Sequence, residues 1–317
     1  MTDDSTASAD PLADLLTTLD LEELGAARIT VEGVDGAESI DLGESGASVF
    51  LGRSQKTPHG RVFGGQVLAQ CVMAAGRTVA DLDDGDGPRH IHSLHGYFMR
   101  PGDDTKPIRF AVERMRDGRS FSTRRVHAIQ EGLPILSMIT SFQEQASGLD
   151  HQDPMPQVPG PDTLPSLQDL FGAVDHPAAR HLLNRPVEHR HVEGDVFAAP
   201  GPDLTAHQNV WLKAIGTLPD DPLVHAAVLA YASDYTLLES VIRRHGLAWS
   251  DRRLRPASLD HAMWFHRPVR VDEWILYAQQ SPSASGGRGL GIGRMFGADG
   301  ALVATVAQEG MVRVKGT

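Results

Sequence analysis

The chain carries one plan twice, and this repeat restricts its fold more than any other feature. "YFMRP" at Tyr97–Pro101 answers to "WFHRP" at Trp264–Pro268, an offset of 167 residues (268 − 101). "DGRSFSTRRV" answers to "GGRGLGIGRM", with Arg119 and Arg288 separated by 169 (288 − 119). Self-similarity at that distance marks two copies of one structural unit. In the first copy "FGGQVLAQCVMAAGRTV" follows two glycines and places Leu68, Cys71, Val72 and Ala75 at helical spacing. Strand patterns come next: "HIHSLHGYFM", then "IRFAVERMRDGRSFSTRRVHAIQ" with a turn at Asp117-Gly118, then "LPILSMITSFQ". The second copy runs "VLAYASDYTLLESVI", "PASLDHAMWFHRP", "EWILYAQQ", "RGLGIGRMFG" and "GALVATVAQEGMVRV". A helix followed by mostly antiparallel strands, twice over, predicts an α+β chain in which each unit packs a curved sheet on one long helix.

The length of 317 residues suits two cores better than one. Residues 1–14 read as a disordered tail, 15–145 as the N-terminal unit, 146–186 as a linker and 187–317 as the C-terminal unit. The linker is rich in Gly, Pro, Asp and Gln around "DPMPQVPGPDTLP". A short helix is expected in "LADLLTTLDLEEL", and hairpin strands or a surface excursion in "ITVEGVDGAESIDLGESGASVFLGRSQ".

Charge narrows the partners. The 29 basic and 41 acidic residues leave a net charge of −12, which argues against a nucleic-acid or anionic-membrane binder working through bulk charge. An acidic N-terminus without an apolar segment behind it is no signal peptide, and no apolar run approaches membrane-spanning length; a cytoplasmic protein is the expectation. Cys71 stands alone among apolar residues, which excludes an intramolecular disulfide and favours a buried structural thiol.

One residue breaks the apolar pattern. Helical steps from Ala227 put Ala230, Tyr231, Asp234, Leu237, Leu238 and Val241 on one stripe, with a carboxylate in its middle. Asp234 is either a cap or ion-pair partner, with Arg243 or Arg244 in reach, or a base kept in a dry site. Gln308 shares a strand face with Ala304, Val306, Gly310 and Val312, so its amide is buried and needs partners. The pairs His90/His92 and His189/His191 alternate on strands, but neither has a third ligand at a diagnostic spacing, and no metal is expected. "GLGIG" has Arg294 where a dinucleotide motif needs its third glycine, and reads as a strand with a close-packed face. No G-x-S-x-G elbow occurs.

The motifs "FGGQVLAQ", "HSLHGYFMRPG", "DGRSFSTRRV", "LAYASDYTLL", "SLDHAMWFHRP" and "VATVAQEGMVR", in this order, resemble the acyl-CoA thioesterase II (TesB-type) family. The resemblance spans about Leu15 to Arg313 and implies a double hotdog: two fused units, each a curved antiparallel sheet wrapped on a long helix. It implies hydrolysis of fatty acyl-CoA to free fatty acid and CoA without metal, cofactor, serine nucleophile or covalent intermediate, by a homo-oligomer. Carried over by motif, Asp234, Ser258 and Gln308 are the catalytic set; some members have Thr at the place of Ser258.

Those residue types suit the chemistry. A thiol of pKa around 8.5 leaves readily, so the protein's tasks are a base for water and a site for the oxyanion. Asp234 is the base, while Ser258 and Gln308 orient the water without competing for its proton. Backbone N–H groups exposed by a chain break near Ser233 are the expected oxyanion site. Arg119, Arg124 and Arg288, with Arg125, are candidates for the CoA phosphates. Tyr235, Met263 and Trp264 are candidates to line an acyl slot. A hotdog hydratase is disfavoured because no His follows Asp234 until His245; a noncatalytic acyl-CoA binder is the remaining alternative.

Overall fold

The computed structural model describes residues 10–27, 30–31, 40–41, 47–80, 82 and 87–316. Helix α1 (Pro11–Leu19) starts inside the segment read as a tail, where the Asp10 carboxylate accepts from the Leu12 N–H and proline takes the first turn. The helix then stops short, and the "LEEL" end of the expected helix lies in or before strand β1 (Glu22–Ala27). Strands β2 (Thr30–Val31) and β3 (Ile40–Asp41) form a small ladder ahead of β4 (Ala47–Gly52). Ile29 and residues 32–39 and 42–46 of the expected excursion lie outside the described residues, as do 1–9 of the tail.

The first unit continues as α2 (Gly64–Ala80), β5 (Arg89–Phe98), β6 (Ile108–Asp117), β7 (Phe121–Gln130) and β8 (Leu133–Glu144). The connecting segment carries the short helices α3 (Leu167–Phe171) and α4 (Pro177–Leu183). In the second unit β9 (Val187–His191) and β10 (His207–Ala214) precede helices α5 (Pro222–Ser233) and α6 (Glu239–Arg244). Strands β11 (Leu254–Ser258), β12 (Asp260–Phe265), β13 (Ile275–Ser285), β14 (Arg288–Gly297) and β15 (Leu302–Val314) complete it.

The repeat is visible in the sheet. The first unit orders its strands β1-β4-β6-β7-β8-β5, and the second orders them β9-β10-β13-β14-β15-β12 from its own outer edge. β5 and β12 pair antiparallel at the centre, with Leu94 opposite Met263, which joins the halves into one 13-stranded sheet that includes β11. This is the double-hotdog architecture. Alternation explains why the sheet wraps inward: Ser122, Arg124, Val126 and Ala128 of β7 are buried while the residues between them are not.

In the second unit the long helix of the repeat is interrupted at the break expected near Ser233. Its apolar stretch is split, with α5 ending at Ser233 and α6 starting only at Glu239. Ser, Asp and Thr side chains compete with the helical backbone, and here Ser233, Asp234 and Thr236 meet partners that reward the break. The Tyr277 hydroxyl donates to the Ser233 carbonyl at 3.2 Å, and Gln279 Nε2 donates to Thr236 Oγ1 at 2.6 Å. α5 then packs along α2, buried from His225 through Ser233, while α6 lies under β10, β13 and β14. Leu68, Val72 and Leu229 are fully buried in this layer, each contributing about 1.5–3 kcal/mol. The "GLGIG" strand is indeed close-packed: a Cβ on Gly291 would lie 2.7 Å from the Leu237 carbonyl oxygen, and one on Gly289 2.6 Å from Val241.

The connecting segment is more than a tether. Met155, Val158 and Leu164 pack on Trp211, Leu276 and Phe296 of the second sheet's outer face, and Trp211 Nε1 donates to the Pro159 carbonyl at 2.9 Å. It covers an apolar sheet face that would otherwise meet water.

Candidate active site

Asp234 caps the end of α5 and turns its carboxylate toward the junction of the two units. Two donors reach one of its oxygens, Oδ1: Gln308 Nε2 at 2.8 Å and Ser258 Oγ at 3.3 Å. Gln308 Nε2 also donates to Ser258 Oγ, so the hydroxyl accepts from the amide and donates to the carboxylate. The other oxygen, Oδ2, lies against the start of α2, where a Cβ on Gly64 would come within 2.7 Å of it. The Gly65 N–H donates to the same carboxylate. Only glycine lets the first turn of α2 come this close, and its amides have no carbonyl partner inside the helix.

Each donor is placed by the sheet. Gln308 is on an inward position of β15 and is 1% exposed. Ser258 ends β11 opposite Gly310, on the same face as Gln308 two residues away. β11 and β12 are one strand kinked at Leu259, whose N–H donates to the Glu309 carbonyl; the Asp260 carboxylate holds the kink by accepting from the Glu309 N–H at 2.7 Å. The expected strand "PASLDHAMWFHRP" is therefore bent at the point that delivers Ser258.

Burial dominates the electrostatics. It pushes the Asp234 carboxyl up from its ordinary value to about 6, against the opposing pull of the hydrogen bonds from Gln308, Gly65 and Ser258. Neither Arg243 nor Arg244 pairs with Asp234. Arg243 is itself buried, donating to Gln208 and to the carbonyls of Glu193 and Gly194, and Arg244 donates to the Leu204 carbonyl.

A fourth side chain belongs to the cluster. His261 on β12 is fully buried, with Nδ1 3.3 Å from Gln308 Oε1 and Nε2 2.9 Å from Ser233 Oγ. Burial lowers its pKa to about 4, so the ring is neutral. The search for a histidine downstream of Asp234 in sequence passes over it, because the sheet and not the helix brings it in. Its one sequence signal is an inward strand position, two before the buried Met263.

The oxyanion donors differ from expectation. At the break the Asp234 and Tyr235 N–H groups both go to the Ala232 carbonyl, so Ser233 does not open a set of free amides. The amide that donates to the carboxylate is that of Gly65, in the first turn of α2.

The substrate-contact candidates separate. Met263 is buried facing inward, whereas Trp264, its neighbour on the strand, points to the opposite face, where it is 37% exposed and meets His95 edge-on. The two cannot line one slot. Tyr235 stacks on Phe63 at 4.7 Å between ring centroids, carries the Arg185 guanidinium over its ring and donates to Tyr231 Oη. Arg124 is fully buried: it pairs with Asp117 at 2.8 Å and donates to Thr78 Oγ1 and to the Thr78, Thr123 and Arg116 carbonyls. A guanidinium so occupied is a structural group and is not free for a phosphate. Arg125 pairs with Glu113 and Arg288 with Glu309, at 3.4 and 3.0 Å, while Arg119 is exposed on the β6–β7 turn. Cys71 is buried in α2, where burial pushes its thiol up, as a structural thiol requires. His189 and His191 are both buried on β9, with His191 bonded to Glu239 at 2.9 Å.

Two fused units of curved sheet on helix define a hotdog-fold protein of the double type. Family models agree at both halves: an acyl-CoA thioesterase N-terminal domain matches residues 53–143 and an acyl-CoA thioesterase model matches 180–311. Human acyl-coenzyme A thioesterase 8 is 39% identical over 84% of this chain and 85% of its own. Acyl-CoA thioesterase 2 of Haemophilus influenzae is 38% identical over 84% of this chain and 92% of its own. Among solved structures, acyl-CoA thioesterase II TesB2 from Mycobacterium marinum superposes with a TM-score of 0.72 at 42% identity, over 95% of this chain and 99% of that one. The chain belongs to the acyl-CoA thioesterase II, TesB-type, family.

Proposed function

We propose that the protein hydrolyses fatty acyl-CoA to free fatty acid and CoA by direct attack of a water that Asp234, Ser258 and Gln308 activate. The observation that carries this is the convergence of the Ser258 hydroxyl and the Gln308 amide on one oxygen of a buried carboxylate. The 3.3 Å contact between Ser258 and Asp234 is the longest of the set and the one a water can enter at least cost. A water there gives a proton to Asp234 while Ser258 and Gln308 fix its remaining lone pair toward the thioester carbon. A base whose pKa is raised to about 6 is still ionised at neutral pH and is a stronger proton acceptor than an ordinary aspartate. The N-terminus of α2 sits beside the same point, and its dipole suits the developing oxyanion, the Gly65 N–H itself being held by Asp234. Once the tetrahedral intermediate forms, the C–S bond breaks and the proton on Asp234 returns to the departing thiolate.

The test is release of free thiol from acyl-CoA substrates of graded chain length. The wild type turns over, and Asp234→Asn loses about 100-fold or more in kcat. Equal rates for the two proteins would sink the base assignment. Binding of acyl-CoA with no turnover by the wild type would favour a noncatalytic carrier instead. The same reading carries a cytoplasmic homo-oligomer, and light scattering in solution tests the assembly.

A further inference from the structure

We infer that His261, held as its Nδ1–H tautomer, is a positioning residue that sets which way the Gln308 amide faces. The inference rests on the reading of Asp234 as an ionised base.

The Gln308 side of the ring decides the tautomer. An ionised carboxylate only accepts, so the Gln308 group 2.8 Å from Asp234 Oδ1 is its NH2. Its oxygen is then the atom 3.3 Å from His261 Nδ1, and an amide oxygen also only accepts. Nδ1 must therefore carry a proton. The ring is fully buried and uncharged, so Nε2 is bare, and the Ser233 hydroxyl shares its one proton between the Ala230 carbonyl at 2.8 Å and Nε2 at 2.9 Å. The path runs Ser233 to His261 to Gln308 to Asp234, and its two ends are adjacent residues at the end of α5. Among the described residues no acidic side chain shifts the ring, and the Tyr277 hydroxyl from β13 is spent on the Ser233 carbonyl.

Ionised Asp234 holds the Gln308 NH2 toward itself, but that hold lapses once the carboxylate takes the water's proton, and without His261 the amide oxygen is then tied to nothing. Its buried oxygen would lose its partner, and a half-turn of the amide would direct that oxygen at Asp234, removing the donor that orients the water. A hydrophobic residue of similar size would fill the space and leave the direction unset. Asparagine places its amide nitrogen near the Nδ1 position, whereas glutamine reaches instead toward Nε2. The pair separates tautomer from bulk.

Two measurements test this on the full chain. In protein labelled with ¹⁵N-histidine at slightly alkaline pH, the His261 signals, assigned by their loss in His261→Asn, should show a protonated Nδ1 and a bare Nε2. The opposite tautomer, or a charged ring, overturns the inference without any variant having to be active. In acyl-CoA turnover, His261→Phe should lose about 100-fold in kcat with KM unchanged, the cost of a misplaced reacting group. His261→Asn should recover most of that loss and His261→Gln should not. Wild-type kcat in His261→Phe, or equal losses in all three variants, overturns the positioning role. A fully active Asp234→Asn overturns the base reading alone, and the ¹⁵N spectrum then decides the tautomer by itself.

Discussion

Replacing Asp234 by asparagine should make the folded protein more stable while it removes activity. The carboxyl titrates near 3.8 when exposed and at about 6 in the fold, a raised value caused first by burial. A raised carboxyl pKa means the folded state binds the proton more tightly than the unfolded chain. The ionised form is therefore a cost, absent at low pH, growing as pH rises from the unfolded value and complete above about 6. A shift of this size corresponds to about 3 kcal/mol near pH 8 and roughly half of that near pH 5. Asparagine never ionises, but it cannot accept from Gln308, Ser258 and the Gly65 amide all at once, and one lost hydrogen bond subtracts about 1 kcal/mol. The net gain is then about 2 kcal/mol near pH 8 and about 0.5 kcal/mol near pH 5. Urea unfolding of both proteins at the two pH values measures it as the difference of differences. An Asp234→Asn protein no more stable than wild type at alkaline pH, or equally stabilised at both, refutes the account of a desolvated carboxylate.

Other perturbations follow from the same geometry. Gly64→Ala puts a Cβ 2.7 Å from Asp234 Oδ2 and 3.0 Å from the Phe98 ring, so the helix start must retreat; kcat should fall about 100-fold by thiol release. Ser258→Thr keeps the hydroxyl and should hold most of kcat, whereas Ser258→Ala should lower kcat more than it changes KM, as steady-state kinetics will show. Arg124→Met removes the buried guanidinium that Thr78 and three carbonyls bond, while Asp117 stays in water, and should cost about 1–3 kcal/mol in denaturant unfolding. Its KM for acyl-CoA should stay at the wild-type value; a raised KM with unchanged stability would return Arg124 to the substrate site.

Much of the fold is legible in the sequence because the two units repeat one pattern. The strands around "YFMRP" and "WFHRP" fall where their alternation puts them, and β5 and β12 meet at the centre of the sheet. The break at Asp234 is harder to read, because α5 is apolar on every side and a stripe count cannot tell a continuous helix from two that bury different faces. Charge makes Arg124 a phosphate candidate, yet it alternates with Ser122, Val126 and Ala128, a register that points it inward. Trp264 and Met263 are both apolar slot candidates by type, but neighbours on a strand face opposite ways. The carboxylate, hydroxyl and amide were legible through the family resemblance. His261 was not, since its contacts come from the pairing of β12 with β15 across more than forty residues.

The central claim is that ionised Asp234 is the base. The pH dependence of kcat/KM for acyl-CoA hydrolysis tests it most directly, because this quantity reports the ionisations of the free enzyme. The profile should be flat through neutral pH and fall tenfold per unit below an apparent pKa of about 6. A profile that stays level down to the ordinary aspartate range, or a limb near 6 that persists in Asp234→Asn, would contradict the claim.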